Sequence, residues 1–509
     1  MTVTIFVAAC LFTCALARAD LRVGTSAVKI TPPTRTPMAG YYYERGSQDV
    51  IDDLYAKAAV LDDGSTKVAL VVCDLISLPR DVVLEARKLI EQQTDIPGGH
   101  VMLSATHTHT GPALARGSAR DDLDKAGSNP AKSYTAELLS RIAQAVAEAN
   151  GKLVPAKVSY ARQLEDRLSF CRRYWMKDGT VGWNPGKCNP NIIRPVSPID
   201  PEVGVVYFET PDNEPLLTYV NFAMHADTTG GARISADFPG ALARRLADYK
   251  GPDMMTLFAN GTCGNINHIN VSWSGPQSSP AEATRLGTIL AADVLKAYMD
   301  LKPVALPPWR GRLALASRGH PGLALPGRDA PPTSEVQGQD SLGTENPGER
   351  DATTLRVQSE LLQLPLAKIT PQDVEEARAT VEKRDKAKFM EQVKAYKVLD
   401  VQKREGKPLE VEVQVITMGD TLAWVSLPGE IFVELGLSIK VASPFAQTHI
   451  AELANGSIGY IPNRSAYAEG NYEAESARCA EGSGELLVQS AVKMLEALKA
   501  QAASHKQGM

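Results

Sequence analysis

The segment 67–73, KVALVVC, is apolar at every position after Lys67. A strand without polar alternation is buried on both faces, so it needs a layer of structure on each side. Residues 78–92 carry apolar side chains at helical spacing, and 101–103 (VML) form a second apolar strand. Strand, helix and strand in this order place the first third of the chain in a layered α/β domain.

The same grammar continues along the chain. Strands are predicted at 21–31 (ended by Pro32-Pro33), 55–61, 203–209, 216–224 and 255–258, and helices at 134–149, 238–249 and 281–299. Pro211-Asp212-Asn213 reads as a hairpin turn, and Pro239 suits the first turn of its helix. Residues 409–427 alternate strongly and predict a hairpin turning at Gly419-Asp420, and a final amphipathic helix is expected over 485–498. The expected class is therefore mixed α/β (α+β): a layered mixed β-sheet core with flanking helices in one large domain. Residues 317–354, rich in Pro, Gly and acids, read as a loop insertion, and the charged stretch 371–399 reads as one solvated surface helix.

Composition excludes some functions. With 54 basic and 59 acidic residues the net charge is −5, which gives no support for nucleic-acid binding. No internal run reaches the roughly 18–20 apolar residues of a membrane helix. The apolar run 5–16 followed by Ala17-Arg18-Ala19 has the form of a signal peptide cleaved near Ala19. That predicts a secreted or periplasmic chain, 20–509. Its five cysteines are too few for a disulfide framework. Cys171 and Cys188 flank an aromatic, Gly-rich loop and either pair or stay free.

The chemistry centres on SATHTHTGP, 104–112, which places His107 and His109 at the end of the second apolar strand. His225, in NFAMHAD, and Glu430, in SLPGEIF, stand at the ends of two further apolar strands. Strand ends present side chains to a cleft, and two histidines with one carboxylate form a known catalytic zinc set with an open position for water. Asp227 and Asp237 read either as partners that fix the histidine tautomers or as helix caps. Trp175 and Trp183 read as a ligand platform or as packing, and His100, His320, His449 and His505 as structural or surface residues.

These motifs, in order, resemble those of the neutral (non-lysosomal) ceramidases over residues 30–498. SATHTHTGP is similar to the family's T-H-T-H-S-G-P, and SLPGEIF to its V-P-G-E-F. GYIPNRSAYAEGNYEAES matches the family's spacing between two tyrosines, here Tyr460 and Tyr472. The resemblance implies a Zn2+ site formed by His107, His225, Glu430 and Tyr460. It also implies that His109, Arg172 and Tyr472 bind substrate or stabilise the transition state. It implies hydrolysis of an amide-like bond by metal-activated water, in an N-acyl lipid or N-acylated small molecule, with His109 carrying the proton.

The chain departs from the family at its G-D-V-S-P-N motif. The serine position falls on Gly264, which leaves Thr262 or Cys263 as possible replacements. The resemblance ends about where the family's catalytic domain ends, so the family's C-terminal immunoglobulin-like domain is expected to be absent. Two alternatives stay open: a zinc enzyme of the same fold acting on glycans or esters, and a binding protein without turnover. Small-molecule, lipid and glycan substrates are all compatible with the sequence.

Overall fold

The computed structural model describes residues 21–115, 129–304 and 352–507. The expected leader and nearly all of the expected 317–354 insertion lie outside the described residues. Strands β1 (Arg22–Lys29), β2 (Tyr55–Asp62), β3 (Lys67–Cys73) and β4 (Val101–Ala105) form the first sheet in the order β4-β3-β2-β1, with Val154–Pro155 beyond β1. β3 and β4 are parallel, joined by helix α1 (Arg80–Gln93). The apolar strand β3 serves both faces, as its composition requires. Ala69 and Val71 pack under α1 and helix α2 (Asn129–Gly151), while Val68, Leu70 and Val72 face a second sheet.

That second sheet runs β8-β7-β6-β5, from β5 (Lys157–Leu164), β6 (Glu202–Glu209), β7 (Pro215–Phe222) and β8 (Met255–Asn260). Helices α3 (Asp237–Lys250) and α4 (Pro280–Ala297) cover its outer face through Leu242, Leu246, Leu290 and Val294. The result is a helix–sheet–sheet–helix stack. Full burial of a side chain such as Leu61 or Phe208 between the sheets contributes about 1.5–3 kcal/mol.

A third sheet closes the end of the stack. It contains β9 (Leu355–Leu364), then, after helices α5 (Pro371–Glu382) and α6 (Phe389–Lys403), β10 (Leu409–Met418), β11 (Leu422–Ser426) and β12 (Gln447–Ala451). Ile416, Met418 and Trp424 reach into the shared core, and the other face packs on α7 (Val433–Ala442) and α8 (Ser483–Gln507). β7/β8 and β11/β12 are parallel pairs like β3/β4. The carboxyl ends of β4, β7, β8, β11 and β12 meet at one place, where α/β sheets present ligand sites.

Backbone bonds join these ends directly. Gly261 N–H donates to Phe222 O (2.9 Å), Glu452 N–H to Asn260 O (3.0 Å) and His109 N–H to Ala226 O (3.1 Å). β4 is an edge strand, and the buried Asn455 covers it: its N–H donates to Leu103 O (2.7 Å) and its Oδ1 accepts from Leu103 N–H (3.0 Å). Most predicted strands and helices occur at their expected places, including the hairpin at Gly419, where φ is 58°. The stretch 371–399 is a correction. It forms two helices with a break at 383–388, and α6 buries Val393, Tyr396, Val398 and Val401 instead of lying as one solvated rod.

Candidate metal centre

His107 follows β4 by two residues and takes a left-handed backbone, φ 68°. For a non-glycine residue this costs on the order of 1–3 kcal/mol and needs outside support. The support is its N–H donating to Leu75 O (2.9 Å) and its Nδ1 bonding to Ile76 O (2.9 Å). His109 Nδ1 bonds to Gly40 O (3.0 Å), and His225 Nδ1 to Cys263 O (2.9 Å). A carbonyl oxygen only accepts, so all three Nδ1 atoms carry the proton; the Nε2 atoms of His107 and His109 face each other at 3.3 Å, and that of His225 accepts from Arg172 Nη1 (3.1 Å). The tautomers are thus fixed by main-chain carbonyls, with Asp227 Oδ1 standing 3.8 Å from His109 Nδ1. Asp227 accepts from Tyr41 (2.5 Å), and Asp237 accepts the N–H groups of Thr228 (2.9 Å) and Thr229 (2.7 Å). Asp237 opens α3 without acting as its side-chain cap.

The three buried histidines offer ligand atoms that lie within 4.8 Å of one another and could hold a metal ion. His109 Nε2 is 3.3 Å from His107 Nε2. Glu430 Oε2 is 3.4 Å from Nε2 of both His107 and His225. The Glu430 side chain keeps 15% exposure, yet Oε2 itself is buried and has no hydrogen-bond partner. A carboxylate oxygen left so is costly unless a cation compensates it. Two imidazole nitrogens and that oxygen are a donor set that divalent zinc accepts, so the residues present fit the expected ion; at His107 burial lowers the pKa but the Glu430 carboxylate outweighs it and raises it, so a metal there would displace a proton. Burial holds His225 and His109 well below the ordinary histidine pKa, which keeps them in the neutral, ligating form.

The remaining expected residues converge here. Tyr460 pairs with Glu430 across a short parallel bridge, and the Arg172 guanidinium lies 5.3 Å over its ring. Burial raises its pKa well above the ordinary value, so a ligand role needs a cation to reverse that shift. Arg172 Nη1 lies 3.1 Å from His225 Nε2, and its Nη2 donates to Gly264 O (2.6 Å). The Tyr472 ring lies 5.3 Å from Tyr460 and 4.4 Å from Trp183. Trp183 therefore backs a site residue, whereas Trp175 packs on Arg194 at 5.9 Å. Cys171 is a buried thiol and Cys188 an exposed one, both free. His100 bonds to Lys67 O (2.9 Å), and His449 is buried with neither ring nitrogen hydrogen-bonded, away from the centre. His320 and the side chain of His505 lie outside the described residues.

Two acidic residues escaped the sequence reading. Glu473 is fully buried and accepts from Arg172 Nε (2.8 Å) and Arg173 Nη1 (2.9 Å), aiming Arg172. Glu452 Oε2 accepts both Cys263 N–H (3.1 Å) and Ile431 N–H (2.9 Å), so one carboxyl ties the loop behind His225 to the strand of Glu430. Burial pushes its pKa up to about 8. Glu452 directly follows strand β12, the same signal that marked Glu430.

The serine position is closed by geometry. A Cβ on Gly264 would stand 2.5 Å from Glu430 O. Neither neighbour replaces a serine. Thr262 Oγ1 points at Gly436 of α7, and Cys263 Sγ donates to Glu452 Oε1 (2.9 Å) on the Nδ1 side of His225.

A cavity of about 830 Å³ opens from His107, His109, Glu430, Tyr460 and Tyr472. Tyr41, Tyr42 and Tyr43 line it, and α6 adds Tyr396. No helix among the described residues is long and apolar enough to cross a membrane.

No family model and no curated protein matches the sequence. Solved structures do. The fold is similar to neutral ceramidase from Pseudomonas aeruginosa, with a TM-score of 0.66 and 17% identity over 95% of this chain and 75% of that one. It is also similar to a ceramidase complexed with C2, with a TM-score of 0.64 and 16% identity over 95% and 76% of the two chains. At such identities the likeness establishes the layered fold.

Proposed function

We propose that this chain is a secreted zinc-dependent hydrolase of an amide-like bond, with His107, His225, Glu430 and Tyr460 as the metal-holding residues. The observation that carries this reading is the buried, unpartnered Glu430 Oε2 set 3.4 Å from two imidazole Nε2 atoms. The likeness to ceramidases favours an N-acyl substrate, ceramide itself among the candidates. Zinc, when bound, supplies Lewis acidity that brings the pKa of water from ~15.7 toward about 7.

The chain's own residues supply the rest. His109 is neutral, its Nδ1 is committed to Gly40 O, and its Nε2 faces the centre. That suits it to take a proton and deliver it to a leaving amine. Arg172 and Tyr472 stand as donors for the oxygen of a carbonyl under attack, Arg172 held by Glu473. With no side chain at Gly264, hydrolysis proceeds without the family's serine.

A second reading, esters or glycans as substrates, is favoured by the cavity wall, which is tyrosine-rich and basic and not a purely apolar tunnel. Metal analysis with a screen of amide, ester and glycoside substrates tests both, using His107→Ala as control. About one zinc per chain and chelator-sensitive amide cleavage are expected. Zinc binding without turnover of any substrate class would leave a binding protein and overturn the hydrolase reading.

A further inference from the structure

The charge along the cavity is uneven in a chain that is acidic overall. Among the described residues six bases line it, including Arg35, Lys403, Arg404 and Lys407, against three acids. The acids are already engaged. Glu430 belongs to the metal centre, Asp400 accepts from Arg478 Nε (2.6 Å), and Glu44 pairs with Arg384 (3.5 Å). Of the bases, Arg45 is engaged by main-chain carbonyls of Ala39, His109 and Gly231, and Arg478 by Asp400. Arg404 donates to the carbonyls of Lys407 (3.2 Å) and Pro408 (2.8 Å), which leaves its charge without a counter-ion. Among the described residues no carboxylate pairs with Arg35, Arg404 or Lys407.

These positive charges sit at the exposed end of the cavity. Arg35, Lys403 and Lys407 are exposed, whereas His107 is buried. Two chain segments far apart in sequence, the loop at Arg35 and the end of α6, contribute them to the lining of one cavity. A cleft lined by one sign of charge focuses the field and concentrates ligands of the opposite sign.

We propose that the preferred substrate is an amphiphile or small molecule with an anionic group, a carboxylate or phosphate, which the Arg35/Arg404/Lys407 rim binds while the scissile bond lies at the histidines. This rests on the hydrolase reading and narrows it: a neutral headgroup such as that of ceramide leaves the rim without a partner.

Binding to the zinc-loaded full chain separates the two claims. The probes are N-octanoylglycine (carboxylate), N-octanoyl phosphoethanolamine (phosphate) and N-octanoylethanolamine (neutral), titrated calorimetrically at about 50 and about 500 mM salt. At least one anion is expected to bind about tenfold tighter than the neutral amide, with the difference shrinking at high salt. The stronger of the two anions identifies the group. The double variant Arg35→Gln/Lys407→Gln, altered only at exposed positions, should lose most of that preference and keep the neutral affinity. Equal binding of all three probes overturns the proposal. So does an anion preference that survives in full in the double variant, because two of the three rim charges would then contribute nothing. Turnover is read separately: anion binding without cleavage of any probe breaks the hydrolase reading and leaves the anion rim standing.

Discussion

The floor and the outer wall of the cavity are built in opposite ways. The floor is made of strand ends. His107, His225 and Glu452 follow β4, β7 and β12, and their loops are joined by main-chain hydrogen bonds. Each imidazole is oriented by a carbonyl oxygen. The wall comes from the 37–46 loop and α6, and it meets the floor through aromatic contacts. Phe389 stacks on Trp183 (5.6 Å, 11°) and lies 5.3 Å from Tyr42 and 5.5 Å from Tyr472, while remaining 39% exposed. A rigid floor suits fixed chemistry, and a side-chain-packed wall suits choice of substrate.

The sharpest way to break this contrast is His225→Ala. It should remove zinc and essentially all turnover while the circular-dichroism spectrum stays native. Full zinc occupancy in this variant would show that the floor is not the metal site. Next in size is His109→Ala, which should lower kcat by ~10²–10⁴ with zinc still bound. This variant also decides between the two donor sets that the geometry permits, because loss of zinc would make His109 a ligand beside His107 and His225.

Glu452 measures how rigid the floor must be. Glu452→Ala leaves the buried N–H groups of Cys263 and Ile431 unpaired, about 1–3 kcal/mol each. It should weaken zinc binding by about 10–100-fold. Glu452→Gln keeps an oxygen for both N–H groups and should recover most of that affinity in a chelator competition. Gly264→Ser probes the same rigidity from the other side. Its Cβ meets backbone at Glu430, so it should cost about 1–3 kcal/mol or more in denaturant melts and should not raise activity.

The smallest effect belongs to the wall. Phe389→Ala removes ring contacts worth about 0.5–1.5 kcal/mol. It should change KM by a few-fold, with zinc content and kcat nearly constant. A large fall in kcat would mean that the wall also holds Tyr472 in its working position.

Much of this was legible in the chain itself. A strand such as β3, apolar at every position, has one solution, burial between layers, and the structure gives it two cores. Histidines and acids directly after apolar strands marked the floor, because a strand end is where a sheet can offer polar groups to a cleft. The wall was not legible in this way. The charged stretch 371–399 looks solvated in one dimension, since its buried positions are sparse and its aromatic partners, Tyr42 and Trp183, are hundreds of residues away.

The sequence by itself therefore determined the layered class of the fold and marked candidate metal residues, among them the three histidines that the structure brings together. Local pattern is enough for both: periodicity sets burial, and the chemistry of His, Glu and Tyr does not depend on where they sit. Tertiary structure decided what those residues face. Only folding sets Glu430 Oε2 between two imidazoles with no hydrogen bond of its own, and only folding closes position 264 to a side chain. It also brings Arg35 and Lys407 to the lining of one cavity. These are distances between segments that touch only in space, and no run of neighbouring residues encodes them separately from the fold.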